Sequence, residues 1–250
     1  MLSKRIISEI KSLQLLKFRK QTALFVIEGE KVVKELLDSD FKIKLIAGVP
    51  DFFKSIDPSK LPDEIYELSD EELAKVSGFA SANKVVAVAE IPKLSLPAYS
   101  DLTGPVLMLD GIKDPGNMGT IIRTAEWFGV KSIICSDDCV DCFNPKVVQS
   151  AMGSLFRIPV FYGTLPVMIN EIKQEGKLKF VAATLEGKSA MTKFQPSQLA
   201  LLIGSESHGI SKTILENIDF EVTIPASGNS KAESLNAAVA CGILLQSLQK

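Results

Sequence analysis

Three glycine-bearing segments hold the polar side chains best placed for chemistry. Each follows an apolar run typical of a β-strand, and open α/β sheets bind their ligands beyond the carboxyl ends of the strands. The segments are LDGIKDPGNMGTIIRTAEWFGV, with Asn117 and Arg123, LLIGSESHG, with Glu206, and TIPASGNSKAESLNAAVACGILL, with Ser234 and Asn236. Their glycines allow tight turns and close approach of the backbone to a ligand. These loops are therefore candidate ligand-binding segments.

Each segment also has a structural interpretation. The first is compatible with a βα turn and a helix cap, and its spacing is not GxGxxG, so a dinucleotide fingerprint is a weak interpretation. Ser234 has the residue type of an N-cap. His208 is the single histidine, which excludes a zinc site of several imidazoles, and no G-x-S-x-G elbow accompanies it. The joint order of the three segments favours a functional interpretation.

The elements that position these loops alternate along the second part of the chain. The predicted strands are VLMLD, SIIC, IPVF, FVAATL, LALLIG and VTIP. The predicted helices cover residues 118–128, 145–152, 165–174, 212–217 and 235–248, by apolar residues at helical spacing. Such alternation predicts an α/β fold in which a parallel sheet has helices on both faces.

A smaller α/β unit is predicted before these elements. It has a helix over residues 3–20, the strand ALFVIEG, a helix over 30–37, a strand over 42–47, a helix over 68–76 capped by Ser69, and a strand over 84–89. The following stretch, IPKLSLPAYSD, holds two prolines and no periodicity, which is typical of an inter-domain linker. We expect domains at 1–94 and 103–250, joined by a linker at 95–102.

Charge gives no global argument for a polyanionic partner. The chain has 28 Lys and Arg residues and 30 Asp and Glu residues, for a net charge of −2. RNA must therefore be bound by a local patch. The best candidate for such a patch is the opening stretch, where Glu9 is the single acidic residue among several basic ones. The alternative interpretation of this stretch is a solvated amphipathic helix. These basic residues are Lys4, Arg5, Lys11, Lys17, Arg19 and Lys20. The N-terminus has no continuous apolar run, so we expect neither signal peptide nor membrane span, and a cytoplasmic location.

The three segments together resemble a known family. NMGTIIRTAEWFG, LLIGSESHGIS and IPASGNSKAESLNAAVACGI resemble the successive signature motifs of the SpoU (TrmH) family of RNA 2'-O-ribose methyltransferases. NPKVVQSAMGSLFRIPV resembles the segment between them, and RKQTALFVIEGEKVVKELL resembles the start of the family's N-terminal substrate-binding domain. The third motif departs from the pattern by extra residues around Asn229 to Lys231. The resemblance implies a SPOUT fold with a C-terminal trefoil knot, where the residue pattern alone predicts an open doubly wound sheet.

The implied reaction transfers a methyl group from S-adenosylmethionine to a ribose hydroxyl of structured RNA. Ribosomal RNA, and 23S rRNA in particular, is expected in preference to transfer RNA. The resemblance also implies a homodimer through the catalytic domain, both subunits helping to bind RNA, and no metal. A knotted RNA-binding protein that has lost catalysis is the alternative function.

The resemblance also assigns roles to residues. Arg123 is expected at the ribose hydroxyl, and because a guanidinium hardly deprotonates, we favour stabilisation of the incipient alkoxide over action as a base. The other polar motif positions are expected to orient Arg123, the loop and the nucleotide, with structural roles open for Glu206 and Asn236. These positions are Asn117, Glu206, Ser234 and Asn236. The residues expected to hold the cofactor are Thr184, Leu185, Gly204, Ile224, Ala226 and Leu235.

Two other features have competing interpretations. Cys135, Cys139 and Cys142 have the C-x3-C-x2-C spacing that binds a [4Fe-4S] cluster in radical S-adenosylmethionine enzymes. Asp141 stands where those enzymes usually have an aromatic residue, and neighbouring aspartates would crowd negative charge around three thiolates. We therefore favour free cysteines, with Cys135 buried in a strand. Trp127 is predicted as a core or interface anchor, with base stacking as the alternative.

Overall fold

The computed structural model describes residues 2–79, 83–187 and 193–249. The chain packs as two compact units, Met1–Lys93 with Asp141–Arg157, and Leu94–Val140 with Ile158–Lys250. The first unit therefore includes Asp141–Arg157, which we call the added segment and which lies within the range 103–250 expected for the second domain. Sequence periodicity could not predict this packing, because the residues that contact the segment lie far away along the chain.

The first unit is built on a four-stranded sheet in the order β1-β4-β2-β3. Its strands are β1 (Leu24–Glu28), β2 (Ile43–Gly48), β3 (Ile65–Glu67) and β4 (Val85–Glu90). Its helices are α1 (Lys4–Ser12), α2 (Leu16–Thr22), α3 (Glu30–Leu37), α4 (Pro50–Lys54), α5 (Asp70–Val76) and, from the added segment, α7 (Pro145–Ala151). Ser69 caps α5 in a capping box with Glu72, as predicted.

The helix predicted for residues 3–20 is broken in two, which corrects the sequence-based expectation. The cause is Arg19, whose side chain is only 2% exposed. Its guanidinium donates to the carbonyl oxygens of Leu13 (2.8 Å) and Gln14 (3.0 Å), in the turn between α1 and α2. Its Nε also lies 2.7 Å from a carboxylate oxygen of Asp141. Arg19 thus ties the added segment to the N-terminal helices and is not part of an exposed basic patch.

The second unit is a six-stranded parallel sheet in the order β10-β8-β9-β5-β6-β7. Its strands are β5 (Val106–Asp110), β6 (Ser132–Ser136), β7 (Val160–Gly163), β8 (Lys179–Ala183), β9 (Leu199–Gly204) and β10 (Phe220–Val222). Its helices are α6 (Pro115–Trp127), α8 (Leu165–Gln174), α9 (Lys212–Leu215) and α10 (Ala237–Gln246). The predicted α/β class with a parallel sheet is confirmed.

Both faces of this sheet are covered. Leu107 and Met108 are adjacent in central strand β5 and so point to opposite faces, yet both are fully buried. Helix α8 packs against β6, whereas α10 packs against α6 and β9. Within the described residues, none of the helices combines the length and the apolar character needed to cross a bilayer.

Two helix starts differ from the sequence-based expectation. Helix α6 begins at Pro115, three residues earlier than predicted, because Asp114 is an N-cap and proline fits the first helical position. Helix α10 begins at Ala237, capped by Asn236, whose Oδ1 accepts from the amides of Ala238 and Val239. The N-cap interpretation of Ser234 is therefore wrong.

Candidate functional site

The loops that follow β8, β9 and β10 enclose a cleft of about 460 Å³ at the carboxyl edge of the parallel sheet. Five of the six predicted cofactor residues line this cleft, and Ala226 does not. The five are Thr184, Leu185, Gly204, Ile224 and Leu235. Leu185 and Leu235 are 73% and 44% exposed. They offer an apolar surface to a flat aromatic ligand such as adenine.

Gly204 closes the floor of the cleft by close backbone packing. A Cβ at this position would lie 2.1 Å from the carbonyl carbon of Gly209, a separation that only movement of the backbone could relieve. The loop folds back here because Ser205 and Gly209 exchange two backbone hydrogen bonds, of 3.2 and 2.9 Å. Glycine is also favoured at position 209, where φ is +65°. The second segment therefore owes its conformation to both glycines.

A chain of hydrogen bonds joins one residue from each of the three segments. Asn236 Nδ2 donates to Asn117 Oδ1 at 2.9 Å, and Asn117 Nδ2 in turn donates to Glu206 Oε1. Asn117 lies in α6, Glu206 in the loop after β9, and Asn236 at the start of α10. Three loops that are distant in sequence are thus held in one fixed arrangement.

Helix caps set the positions of these side chains. Asp114 Oδ1 accepts the backbone N–H of Asn117 at 2.8 Å, which fixes the first turn of α6. Asn236 performs the same function for α10 through bonds of 3.0 and 3.3 Å. Sequence reasoning missed Asp114, although an aspartate immediately before a proline is a signal for a helix start.

The remaining predicted site residues are exposed. Ser234 lines the cleft. Arg123 lies on α6, six residues after Asn117, so at 3.6 residues per turn the two side chains point from different faces of the helix. Arg123 is exposed and is not among the residues that line the cleft. It shares its face with Trp127, one turn further along, which is 82% exposed. This exposure excludes the core alternative for Trp127, while the interface anchor and base stacking stay predictions.

A pair of small side chains supports the loop that leads into α6, and sequence reasoning missed it. Ser136 Oγ accepts the N–H of Gly111 at 2.9 Å, and Cys139 Sγ accepts the N–H of Ile112 at 3.2 Å. A hydrogen bond from Cys135 is the largest cause that lowers the pKa of Cys139, to about 7, against the opposing effect of burial. Ser136 and Cys139 therefore stabilise the loop that precedes α6.

The four cysteines are free and buried, as expected for free thiols. Cys135 is fully buried at the fourth position of β6. Asp141 forms its ion pair with Arg19. Among the described residues, no group of three or more His, Cys, Asp or Glu side chains is arranged to hold a metal ion.

The charge of the cleft suits a cationic ligand. Glu206 and Glu233 are among its lining residues, and the described lining includes neither lysine nor arginine. His208 also lines the cleft, with Nδ1 2.7 Å from Ser207 Oγ. The two carboxylates would attract a sulfonium or ammonium group.

A shallow apolar groove of about 580 Å³ lies between α6 and α10. Val239 and Ile243 line it and are 51% and 40% exposed. Asn117 and Asn236, which belong to the hydrogen-bond chain, also line the groove. The groove is therefore adjacent to the residues that link the three segments.

Comparison with known proteins agrees with this geometry. Residues 104–246 match the profile of the SpoU rRNA Methylase family, and residues 4–87 match the MRM3-like substrate binding domain. The chain is 33% identical over 249 residues to the 23S rRNA (guanosine(2553)-2'-O)-methyltransferase RlmP of Bacillus subtilis, covering 97% of this chain and 95% of the relative.

Solved structures show the same relationship. A protein from Porphyromonas gingivalis assigned to the TrmH family of RNA methyltransferases superposes with a TM-score of 0.88 at 32% identity, covering 99% of this chain and 98% of the other. An rRNA methyltransferase from Sinorhizobium meliloti with bound AdoMet superposes with a TM-score of 0.85 at 28% identity, covering 100% and 95%. This chain belongs to the SpoU rRNA methylase family of S-adenosylmethionine-dependent RNA 2'-O-methyltransferases.

Proposed function

We propose that this protein methylates the 2'-hydroxyl of a ribose in 23S rRNA, using S-adenosylmethionine, in the cytoplasm. The observation that carries the proposal is the hydrogen-bond chain from Asn236 through Asn117 to Glu206, which joins the three motifs beside the cleft. The choice of 23S rRNA rests on the names of relatives, including RlmP of Bacillus subtilis.

The residues of the cleft fit the proposed cofactor. Exposed Leu185 and Leu235 can cover the adenine, and the tight turn at Gly204 presents backbone groups to it. Glu206 and Glu233 favour a positively charged ligand. Bound there, S-adenosylmethionine would supply an already activated methyl group, so the protein has to position the ribose oxygen in line with it.

The ribose hydroxyl is the difficult partner because it is a weak acid. We infer that Arg123 stabilises negative charge as it develops on that oxygen, since a guanidinium stays protonated and presents several donors. Asn117 and Glu206 orient the nucleotide, and Ser234 contacts it from the cleft wall. Asn236 acts through Asn117 and is a positioning residue.

We propose that a homodimer completes the site. Helix α10 is apolar on its outer face, where Val239 and Ile243 line the groove beside α6. Exposed apolar faces of this kind mark protein interfaces, and a second copy provides an identical face for symmetric pairing. Because Arg123 does not line the cleft of its own subunit, the partner subunit is the proposed source of the arginine at each site.

The knot implied by the family resemblance is part of this proposal. Strand β10 lies at one edge of the sheet, yet the chain that follows it returns so that α10 packs on α6 and on strand β9 near the middle. A return path of this kind is what threading of the C-terminal segment requires. The cleft would then be formed by loops on either side of the point where the C-terminal segment is threaded.

The experiment that tests the function is transfer of tritium from labelled S-adenosylmethionine to unmodified 23S rRNA, free and in assembled particles. We expect label on a ribose 2'-oxygen with the wild-type protein and at least a hundredfold slower labelling with Arg123→Ala. Nuclease mapping then identifies the nucleotide. If the folded protein binds the cofactor but labels none of these substrates, the non-catalytic RNA-binding function replaces the enzyme.

Coexpression tests the source of the arginine. Arg123→Ala is paired with Gly204→Val, whose side chain would collide with the backbone at Gly209 and block the cleft. If Arg123 acts across the dimer, mixed dimers contain one complete site and regain activity that neither variant has alone. Absence of regained activity, in dimers shown to be mixed by differential tagging, would place Arg123 in its own subunit's site.

A further inference from the structure

Among the described residues of the first unit, ion pairs neutralise most of the cations outside α1 and α2. Seven basic residues of its strands, loops and later helices have carboxylate partners within 4 Å. They are Lys34, Lys42, Lys44, Lys54, Lys60, Lys84 and Arg157. Such surface pairs add little stability, but they cancel the field that the lysines would otherwise project.

Helices α1 and α2 differ sharply from this pattern. Five of their basic residues are exposed, and within the described part of the chain none has an ion-pair partner. These five, which we call the N-terminal basic surface, are Lys4, Arg5, Lys11, Lys17 and Lys20. The single carboxylate on the two helices, Glu9, is paired with Lys44 of β2. The surface is therefore a local concentration of positive charge on a chain with a net charge of −2.

The positions of these cations oppose the stability of the helices that carry them. Lys4 and Arg5 occupy the first turn of α1, and Lys17 the first turn of α2, where the helix dipole disfavours positive charge. Neither first turn contains an acidic residue, whereas that of α5 contains three. An external anion would relieve this conflict, because the basic side chains attract it and its charge offsets theirs at the first turns.

Two exposed leucines lie within the same surface. Leu15 and Leu16, at the junction of the helices, are 60% and 42% exposed. RNA offers unpaired bases and ribose edges for such apolar side chains, next to phosphates for the lysines.

We propose that the N-terminal basic surface binds phosphates of the RNA substrate and so sets the register of the RNA on the enzyme. This inference rests on the proposed function and deepens it. The family profile names a substrate-binding domain, and the charge pattern assigns its phosphate contacts to α1 and α2. Phosphate contacts of this kind give affinity and strong salt dependence without reading sequence.

The test compares two triple variants of the full-length protein. The first variant combines Lys11→Gln, Lys17→Gln and Lys20→Gln. The control variant combines Lys34→Gln, Lys54→Gln and Lys60→Gln, which remove paired lysines of the same unit. The net charge changes equally in both, and glutamine is a good helix former. Binding to unmodified 23S rRNA transcribed in vitro is measured over a range of salt concentrations, with S-adenosylmethionine binding and circular dichroism as checks on folding.

We expect the first variant to bind the RNA at least tenfold more weakly at low salt, with the control within twofold of wild type. The slope of log K against log salt should fall by about 2 to 3 in magnitude, because each lost phosphate contact contributes about 0.7 to 0.9. The KM for RNA should rise more than kcat falls, since the chemical site is unchanged.

Equal affinity and slope for both variants would overturn the surface assignment, while continued methylation would leave the proposed function in place. Conversely, the wild-type protein could bind RNA but methylate none of it, while the first variant binds RNA more weakly. That result would refute the proposed function and keep the surface assignment. Tighter binding to vesicles of phosphatidylcholine and phosphatidylserine than to RNA, lost in the same variant, would assign the surface to membranes and refute the RNA proposal.

Discussion

At the scale of single residues, Asn236 has two functions that substitution can separate. Its Oδ1 caps α10 and its Nδ2 donates to Asn117. Asn236→Asp keeps a good N-cap but removes the donor, whereas Asn236→Ala removes both. We expect Asn236→Asp to keep the thermal midpoint of wild type and to lose about 10- to 100-fold in kcat, the equivalent of one hydrogen bond to a charged network.

Asn236→Ala serves as the comparison, with a similar loss of kcat and an additional loss of about 1 kcal/mol in the free energy of unfolding. Steady-state methyl transfer and thermal unfolding measure the two effects. Full activity in Asn236→Asp would show that the link to Asn117 does not position the site.

Cys139 gives a pH dependence of stability. Its pKa falls from an ordinary 9.0 to about 7 in the folded protein, mainly through the hydrogen bond from Cys135. Between about pH 7 and 9 the unfolded state then binds more protons than the folded state, so stability rises with pH across this window. Relative to Cys139→Ser, wild type should gain on the order of 2 kcal/mol between these pH values.

Urea unfolding at intervals from pH 6 to 9.5 measures the gain. Burial raises the pKa of Cys241 to about 12, so that thiol does not titrate in the same window. Parallel stability curves for the two proteins would mean that Cys139 stays protonated in the fold.

At the scale of elements, two helix caps that are alike in chemistry differ in what they position. Asp114 caps α6 and holds the amide of Asn117, whereas Ser69 caps α5 in the first unit. We expect Asp114→Ala and Ser69→Ala each to cost about 1 kcal/mol in the free energy of unfolding. Asp114→Ala should also slow methyl transfer about tenfold, because it releases the turn that carries Asn117, while Ser69→Ala should leave kcat unchanged.

Denaturant unfolding and initial rates of methyl transfer, measured on both variants, distinguish the two effects. An equal fall in rate for both variants would attribute the loss to general destabilisation.

Element prediction from the sequence succeeded where the signals were local. The bounds of α3 and α8 match the predicted residues 30–37 and 165–174, because regular helical spacing of apolar residues determines them. The predicted helix over 3–20 was wrong because Arg19 binds carbonyl oxygens in the turn after α1. That contact depends on burial beside Asp141, more than a hundred residues away in sequence.

At the scale of the whole molecule, the proposed dimer predicts the effect of a charge in the groove. Val239 on α10 and Val167 on α8 are equally exposed, at 51% and 52%. If α10 pairs with a second copy, Val239→Asp buries an unpaired carboxylate and should weaken the dimer at least a hundredfold, a penalty of about 3 kcal/mol. Val167→Asp, the matched control, should leave association unchanged.

Sedimentation velocity over a range of concentrations measures both variants. Methyl transfer should fall together with dimer content if Arg123 acts across the interface. A wild-type protein that sediments as a monomer at micromolar concentration would refute the dimer.

The sequence by itself determined the parallel α/β architecture and the three motif loops, because both depend on short-range patterns of apolar runs, glycines and polar residues. It also identified Asn117, Glu206 and Asn236 as candidates. Only the tertiary structure decided that these three side chains form one hydrogen-bond chain, that Asn236 and not Ser234 caps α10, and that residues 141–157 pack with the first unit. Each of these depends on which distant groups meet after folding, and spacing along a chain does not specify that.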